Sequence, residues 1–237
     1  MANLITRNIP NAITCCNLLS GCVATAFAFM GEQRLALLFI IIGAVFDFFD
    51  GMTARLLHVS SPIGKELDSL ADEVTFGMAP ATMVFTLLFQ LPYPTTMAHL
   101  HGCLPYVAFL IVAFSALRLA KFNLDERQTT SFIGLPTPAN ALFWGALIVG
   151  LGDRLSHLSY ALFLILALIV LSCWLLVAEL PLFALKFKQW GWRGNEVKYV
   201  FLTSCVPILA FLGVGGLSVV ITWYVLLSLF ANSRSRQ

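Results

Sequence analysis

Four aspartates lie close together in a chain that is otherwise strongly apolar. Asp47 and Asp50 are three residues apart, and Asp68 and Asp72 are four residues apart. Side chains at these spacings share one face of a helix, so each pair projects from one side of its own helix. If the two helices are neighbours that face each other, all four carboxylates meet in one place.

Four carboxylates in apolar surroundings repel one another and stay ionised together only beside cations. A divalent metal is the simplest neutraliser, and carboxylate oxygens without histidine or cysteine favour magnesium, manganese or calcium over zinc. The alternative is structural ion pairing with Arg55 and Lys65. Such pairing does not require four acids, and each acid inside a membrane is costly. The sequence therefore predicts a metal site whose ligands are Asp47, Asp50, Asp68 and Asp72.

The composition indicates that the helices holding these acids cross a membrane. Of 237 residues, 59% are hydrophobic and 11% are charged, whereas a soluble domain is near one half apolar and one quarter charged. No cleavable signal peptide is evident, because the first apolar run is itself a full span. The six cysteines lie mostly in apolar runs and are expected to be small buried side chains. We expect one all-α integral-membrane domain over residues 1–237, with no nucleic-acid partner.

Apolar runs separated by polar, proline or glycine segments predict about eight transmembrane helices. These spans cover about residues 10–30, 34–57, 65–91, 105–122, 139–151, 155–180, 199–212 and 217–231. Pro10 suits a helix start. Residues 57–64 are predicted as a loop, and residues 123–138 as the longest ordered non-helical segment.

The first span carries a polar stripe, and the positive charges orient the whole bundle. Asn11, Thr14, Asn17 and Ser20 are spaced by three residues, so this stripe should face protein or a polar cavity rather than lipid. Eight spans place both termini on one side, together with twelve of the 14 lysines and arginines. This bias predicts cytoplasmic termini and a cytoplasmic loop between the second and third spans. Helical rise then places all four aspartates just below the cytoplasmic surface.

From Asp47 to Asp72 the chain reads D-x2-D-G-x2-A-R-x8-G-x3-D-x3-D. This is the signature of the class I CDP-alcohol phosphotransferase family, which the chain resembles at every fixed position and in both gaps. The flanking segments, over about residues 10–140, resemble the phosphatidylserine synthase branch. They read P-N-x2-T-x2-N from residue 10, R-L-A-K-F-N from residue 118 and G-L-P-T-P-A from residue 134. The resemblance implies a six-helix catalytic core over about residues 10–180, two additional helices over about 199–231, and a homodimer.

The resemblance also implies an activity. A member of this branch transfers the phosphatidyl group of CDP-diacylglycerol to the hydroxyl of L-serine and releases CMP. Two divalent ions, Mg²⁺ or Mn²⁺, would sit on the four aspartates. Asp68 and Asp72 would be catalytic, with Asp72 as the general base that takes the proton from the acceptor hydroxyl.

Further residues are candidate substrate contacts by the same resemblance. Gly51 and Ala54 would leave room for the nucleotide, Arg55 would pair with a phosphate oxygen, and Gly64 would open the start of the third span. Asn11, Thr14 and Asn17 would line the nucleotide side of the cavity, although hydrogen bonding between helices explains them equally well. Arg118 and Lys121 would bind the lipid phosphate or the serine carboxylate; interfacial snorkelling is the alternative. The basic segment 186–198 is expected to set topology and attract anionic lipid.

Two other functions remain open. The same transfer to glycerol 3-phosphate or an inositol phosphate would call for extra cations, and the chain offers chiefly Arg118, Lys121 and Arg127. A divalent-cation carrier would place its ligands near the midplane with access from both sides, whereas these acids cluster at one end of their spans. We therefore expect a phospholipid-synthesising enzyme of a bacterial inner membrane, with its active site on the cytoplasmic side.

Overall fold

The computed structural model describes residues 4–59, 61–124, 132–182, 191–192 and 195–235. Its α-helices are α1 (Leu4–Phe29), α2 (Gln33–Leu56), α3 (Pro62–Asp72), α4 (Ala79–Gln90), α5 (Leu110–Leu124), α6 (Thr137–Leu155), α7 (Ala161–Val177), α8 (Glu196–Leu212) and α9 (Gly216–Ser235). Short 3₁₀ segments cover Thr95–Leu100, Leu104–Phe109 and Gly213–Gly215. The described strands, β1 (Phe132–Ile133) and β2 (Pro181–Leu182), form one short antiparallel pair. The predicted helical membrane fold is confirmed.

Helices α3 and α4 form one continuous rod, because a π-helical segment, Glu73–Met78, joins them with helical backbone angles on both sides. Pro80 follows this segment at the start of α4. Proline has no N–H and its ring clashes with the carbonyl four residues earlier, so a wider turn before it relieves the clash. The rod begins at Pro62, where the Ser61 hydroxyl accepts a hydrogen bond from the Gly64 N–H at 3.0 Å. It therefore starts three residues before the predicted position, and the predicted loop 57–64 is shorter.

Helix α1 packs against α2 and against the rod formed by α3 and α4. The turn to α2 uses Gly31 in the left-handed region, at φ 81°, where glycine avoids a Cβ penalty. On the other side, α1 touches the π-helical segment so closely that a Cβ added at Gly21 would lie 2.7 Å from the Thr75 Cα. The Thr75 hydroxyl also donates to the Asn17 carbonyl at 3.0 Å. These contacts fix α2 and α3 on neighbouring sides of α1.

The hydrophobic core lies between α1, α2, α4, α5, α6 and α7, where Phe76, Met83 and Trp144 are fully buried. Helix α9 packs along α6 and α8. Glycines allow this approach, since a Cβ at Gly215 would lie 3.1 Å from the Gly150 Cα. The two C-terminal helices are therefore attached to the rest of the bundle mainly through α6.

Counted as rods, with α3 to α4 as one, the described residues contain the eight helices that the sequence predicts. Within the described part of the chain, four stretches are long and apolar enough to cross a membrane: Asn8–Phe29, Gln33–Leu56, Leu104–Leu124 and Glu196–Ala231. Ala161–Val177 is a shorter apolar helix. Two predictions are wrong. Helix α1 begins at Leu4, so Pro10 lies inside the helix and does not start it. The cysteines are mostly not buried: of the six, all of which lie in the described residues, Cys173 alone is. Residues 125–131 and most of 186–198 lie outside the described residues.

Candidate active site

The carboxylates of α2 and α3 converge. Asp47 and Asp50 on α2 and Asp68 on α3 each offer one carboxylate oxygen, and these three atoms lie within 4.8 Å of one another. Asp72 lies one turn further along α3, close enough for its charge to interact with those of Asp47, Asp68 and Asp50. The structure thus brings together all four acids that the sequence singles out.

This arrangement fits a divalent cation. At 4.8 Å and an effective dielectric constant of about 20, two ionised carboxylates repel by about 3.5 kcal/mol. Asp68 Oδ1 is buried and has no hydrogen-bond partner in the described part of the chain. The charges of Asp47 and Asp72 also interact, and a cation would relieve this repulsion. Because every candidate ligand is a carboxylate oxygen, magnesium and manganese suit the site better than zinc.

The two basic side chains within the acid motif donate hydrogen bonds to backbone carbonyls. Arg55 is exposed, and its Nε donates to the Gly51 carbonyl of its own helix at 3.0 Å. Lys65 Nζ donates to the Asn123 carbonyl at the end of α5, at 2.9 Å. These contacts give no support to structural ion pairing of the aspartates with Arg55 and Lys65. A phosphate contact by Arg55 remains a prediction.

The polar stripe of α1 contacts the acids directly. The Thr14 hydroxyl donates to Asp50 Oδ2 at 2.7 Å and also lies 3.0 Å from the Pro10 carbonyl. Asn17 Nδ2 donates to Asp72 Oδ1 at 3.1 Å, and both α1 side chains are buried. Thr14 and Asn17 therefore make hydrogen bonds between helices, and in doing so they orient one acid from each pair.

A cavity of about 250 Å³ opens beside the acids. Its lining contains Pro10, Asn11, Thr14, Asp50, Gly51, Ala54, Val59, Ser61, Gly64, Lys65 and Asp68. A Cβ at Gly51 would have no heavy atom within 4 Å, so larger side chains there would project into open space. A Cβ at Gly64 would lie 2.9 Å from Asn11 Oδ1, so glycine lets α3 approach α1.

Val59, Ser61 and Lys65 line this cavity although the sequence did not single them out as site residues. For Ser61 a signal exists, because serine before proline is a common way to cap and start a helix. Lys65 lies on the first turn of α3, so its place in the cavity wall depends on where that helix starts. Val59 has no comparable signal in the sequence.

Arg118 lies near Asp72 but does not line this cavity. Its side chain is 8% exposed, and its Nε is buried with no hydrogen-bond partner among the described residues. The guanidinium lies 5.3 Å from the centre of the Phe122 ring, and its charge acts on Asp72. Lys121, one turn further along α5, is exposed. The predicted pair is therefore divided, with Arg118 beside the acids and Lys121 at the surface.

Comparisons with known proteins cover most of this chain. A family model described as CDP-alcohol phosphatidyltransferase matches residues 7–185. A Bacillus subtilis protein named CDP-diacylglycerol–serine O-phosphatidyltransferase is 40% identical over 131 residues, which is 55% of this chain and 69% of that protein. Proteins of the same name from Mycobacterium leprae and Helicobacter pylori J99 are each 33% identical, over 56% of this chain and over 44% and 54% of their own lengths. The chain thus spans about half the length of these last two relatives.

Proposed function

This chain belongs to the CDP-alcohol phosphatidyltransferase family, and we propose that it transfers the phosphatidyl group of CDP-diacylglycerol to the hydroxyl of L-serine. The products are phosphatidylserine and CMP. The names of the relatives, at up to 40% identity, support this assignment. The observation that carries it is the convergence of Asp47, Asp50 and Asp68, with Asp72 close by, beside an open cavity and near a buried arginine.

In the proposed reaction the serine oxygen attacks the phosphorus that bears the diacylglycerol. A new P–O bond forms, the bond from that phosphorus to the bridging oxygen of CMP breaks, and CMP leaves with the bonding electrons. Asp72 is the proposed general base for the serine proton, and Asn17 holds its Oδ1 at 3.1 Å. Asp68 is the second proposed catalytic residue, and it would act by holding a divalent ion.

Two divalent ions, Mg²⁺ or Mn²⁺, are proposed on Asp47, Asp50, Asp68 and Asp72. When bound, they supply positive charge to the pyrophosphate oxygens, as metals do in other phosphoryl-type transfers. A hydrogen bond within the site orients one of these proposed ligands. Thr14 occupies Asp50 Oδ2 and leaves the other oxygen of that carboxylate for a ligand.

We assign the cavity beside the acids and the nearby Arg118 to different substrates. On the cavity side, Asn11, Gly51 and Ala54 form walls that we assign to the nucleotide, with Gly64 at the entrance. Near Asp72, Arg118 is a buried cation whose Nε has no hydrogen-bond partner among the described residues, and we assign it to the carboxylate of serine. One buried guanidinium matches an acceptor with a single carboxylate, because a planar fork binds a carboxylate through two parallel hydrogen bonds.

The position of the acids favours an enzyme over a cation carrier. Asp50 lies six residues before the end of α2 at Leu56, which is about 9 Å of helix. A carrier site would be expected near the midplane, about 15 Å deep in a hydrocarbon layer of about 30 Å. The distribution of lysine and arginine supports a cytoplasmic site in a bacterial inner membrane. The homodimer implied by the sequence remains a prediction.

Product identity tests the proposal. Purified protein is incubated with CDP-diacylglycerol, Mn²⁺ or Mg²⁺, and either L-serine, glycerol 3-phosphate or an inositol phosphate, and lipid products are identified by mass spectrometry. We expect phosphatidylserine and an equal amount of CMP with serine alone. A phosphatidylglycerophosphate or phosphatidylinositol phosphate product would overturn the acceptor assignment. If correctly folded protein formed no product with any acceptor, the reaction itself would be overturned.

A further inference from the structure

A second concavity lies away from the acids, between α7 and α9 and above α6. It consists of two adjoining cavities of about 230 Å³ and 350 Å³, which share Phe143, Leu168, Thr222 and Leu226 in their walls. No described residue lines both this groove and the cavity beside the aspartates. Helix α9 packs on α6, while in the described part of the chain α7 and α9 make little contact with each other. The two cavities therefore form one continuous groove along α6.

One end of the groove carries a hydrogen-bond donor without an acceptor. Trp144 Nε1 donates to Ser172 Oγ at 3.1 Å, and Ser172 Oγ donates to Asn140 Oδ1 at 2.7 Å. The indole N–H can only donate, so the serine oxygen is its acceptor. The serine proton must then go to another acceptor atom, and this means that the amide oxygen of Asn140, not its nitrogen, faces Ser172. Asn140 is fully buried and lines the groove, and its Nδ2 has no partner among the described residues.

The lining indicates which acceptor would fit. Neither cavity is lined by a charged residue in the described part of the chain. An anionic group would therefore enter without a counter-charge, which is costly in an apolar site. A neutral carbonyl oxygen would satisfy the Asn140 amide without that cost, and burying an unpaired amide is itself unfavourable.

The groove also has the length of one membrane leaflet. From Asn140 to Leu151, its residues on α6 are eleven positions apart, or about 16 Å of helix. Half of a hydrocarbon layer of about 30 Å is about 15 Å. We place Asn140 at the same end of the bundle as the aspartates, because only residues 125–136 connect the start of α6 to the end of α5, which contacts Lys65. The groove thus runs from the surface of that leaflet toward the midplane.

We propose that this groove binds one acyl chain of a membrane glycerolipid, whose ester carbonyl accepts a hydrogen bond from Asn140 Nδ2. A lipid is the fitting occupant because the rim residues Leu171, Trp174 and Leu226 are 47%, 53% and 52% exposed on a surface that faces the bilayer. The groove shares no described lining residue with the cavity beside the aspartates, and the proposal stands whether or not the chain transfers phosphatidyl groups.

Photolabelling of the full-length protein tests this site. Delipidated protein is mixed, without CDP-lipid or metal, with phosphatidylglycerol that carries a diazirine in one acyl chain, or with its dialkyl-ether analogue, which lacks the carbonyls. Adducts are mapped by peptide mass spectrometry. We expect labels on the groove faces of α7 and α9, with about fivefold more label from the ester lipid, the value of one net hydrogen bond.

Two variants make the test specific. Asn140→Asp keeps an acceptor for the Ser172 hydroxyl and removes the donor, so the preference for the ester lipid should disappear. Thr222→Phe fills the point where the two cavities join and should remove most of the groove label. Val206→Phe is the matched control, because Val206 is 69% exposed on α8 and lines neither cavity.

Three results would overturn the proposal. The first is equal labelling by ester and ether lipids in the unsubstituted protein. The second is groove labelling that Thr222→Phe leaves at the level of Val206→Phe. The third is crosslinking of the groove to a second copy of the chain, which would make this surface a protein interface. If Asn140→Asp does not fold, the ester-to-ether labelling ratio of the unsubstituted protein and the comparison of Thr222→Phe with Val206→Phe still test the proposal.

Discussion

Replacing Thr14 by valine should weaken metal binding and leave the reaction itself nearly intact. The Thr14 hydroxyl donates to Asp50 Oδ2 at 2.7 Å in a buried position. Valine has nearly the same shape but cannot donate, so Asp50 loses the contact that orients its carboxylate between α1 and α2. The acids themselves remain, so a sufficiently high metal concentration should restore the site.

The expected magnitude follows from the type of hydrogen bond. A hydrogen bond to a charged group contributes about 1.5 to 3 kcal/mol, and each 1.4 kcal/mol changes an equilibrium constant about tenfold. Thr14→Val should therefore raise the Mn²⁺ concentration for half-maximal activity by about 10- to 100-fold. The maximal rate at saturating Mn²⁺ should change by less than about threefold, because the Thr14 hydroxyl is bonded to Asp50 and the Pro10 carbonyl, and not to the proposed base Asp72.

The assay is CMP release by purified protein over a Mn²⁺ series after chelation and buffer exchange. Thr25→Val is the matched control, because the Thr25 hydroxyl donates to the Gly21 carbonyl of the same helix, at 2.9 Å, and to no other described residue. It should behave as the unsubstituted protein. An equal shift in both variants, or a loss of maximal rate in Thr14→Val with unchanged Mn²⁺ dependence, would refute the reasoning.

The other predictions concern catalysis and the two substrates. Asp72→Ala should lower the rate of CMP release by about 10²- to 10⁴-fold in protein that still inserts and elutes normally; retained turnover would contradict its role. Arg118→Gln should raise the KM for serine by about 10- to 100-fold with that for CDP-diacylglycerol unchanged, and Lys121→Gln should leave both near normal. Gly51→Leu should raise the KM for CDP-diacylglycerol and spare that for serine; the reverse pattern would place the nucleotide elsewhere.

The local geometry of the acids could be predicted from the sequence, because it depends on short-range helical spacing. Asp47 and Asp50 share a face of α2 whatever surrounds it, and the same holds for Asp68 and Asp72 on α3. Neighbouring helices joined by a short loop must then face each other. Even the backbone irregularity before α4 has a local signal, since Pro80 requires some relief of the helix.

Features that depend on the rotation of one helix against another were not predictable in this way. Arg118 and Lys121 are three residues apart, and spacing alone predicts a common role. The packing of α5 on the π-helical segment buries the first and leaves the second exposed. Likewise, the groove beside Asn140 exists because α9 lies on α6 through glycines far apart in sequence, Gly150 and Gly215. The periodicity of neither helix predicts that contact.

Mn²⁺ binding followed by electron paramagnetic resonance tests the central claim most directly. The claim is that carboxylates from α2 and α3 jointly hold divalent cations. Purified, chelator-treated protein should bind two Mn²⁺ per chain with a spin-coupled signal, and Asp50→Asn or Asp68→Asn should each eliminate that coupling. Protein that binds no Mn²⁺, yet releases CMP at full rate in excess chelator, would contradict the account.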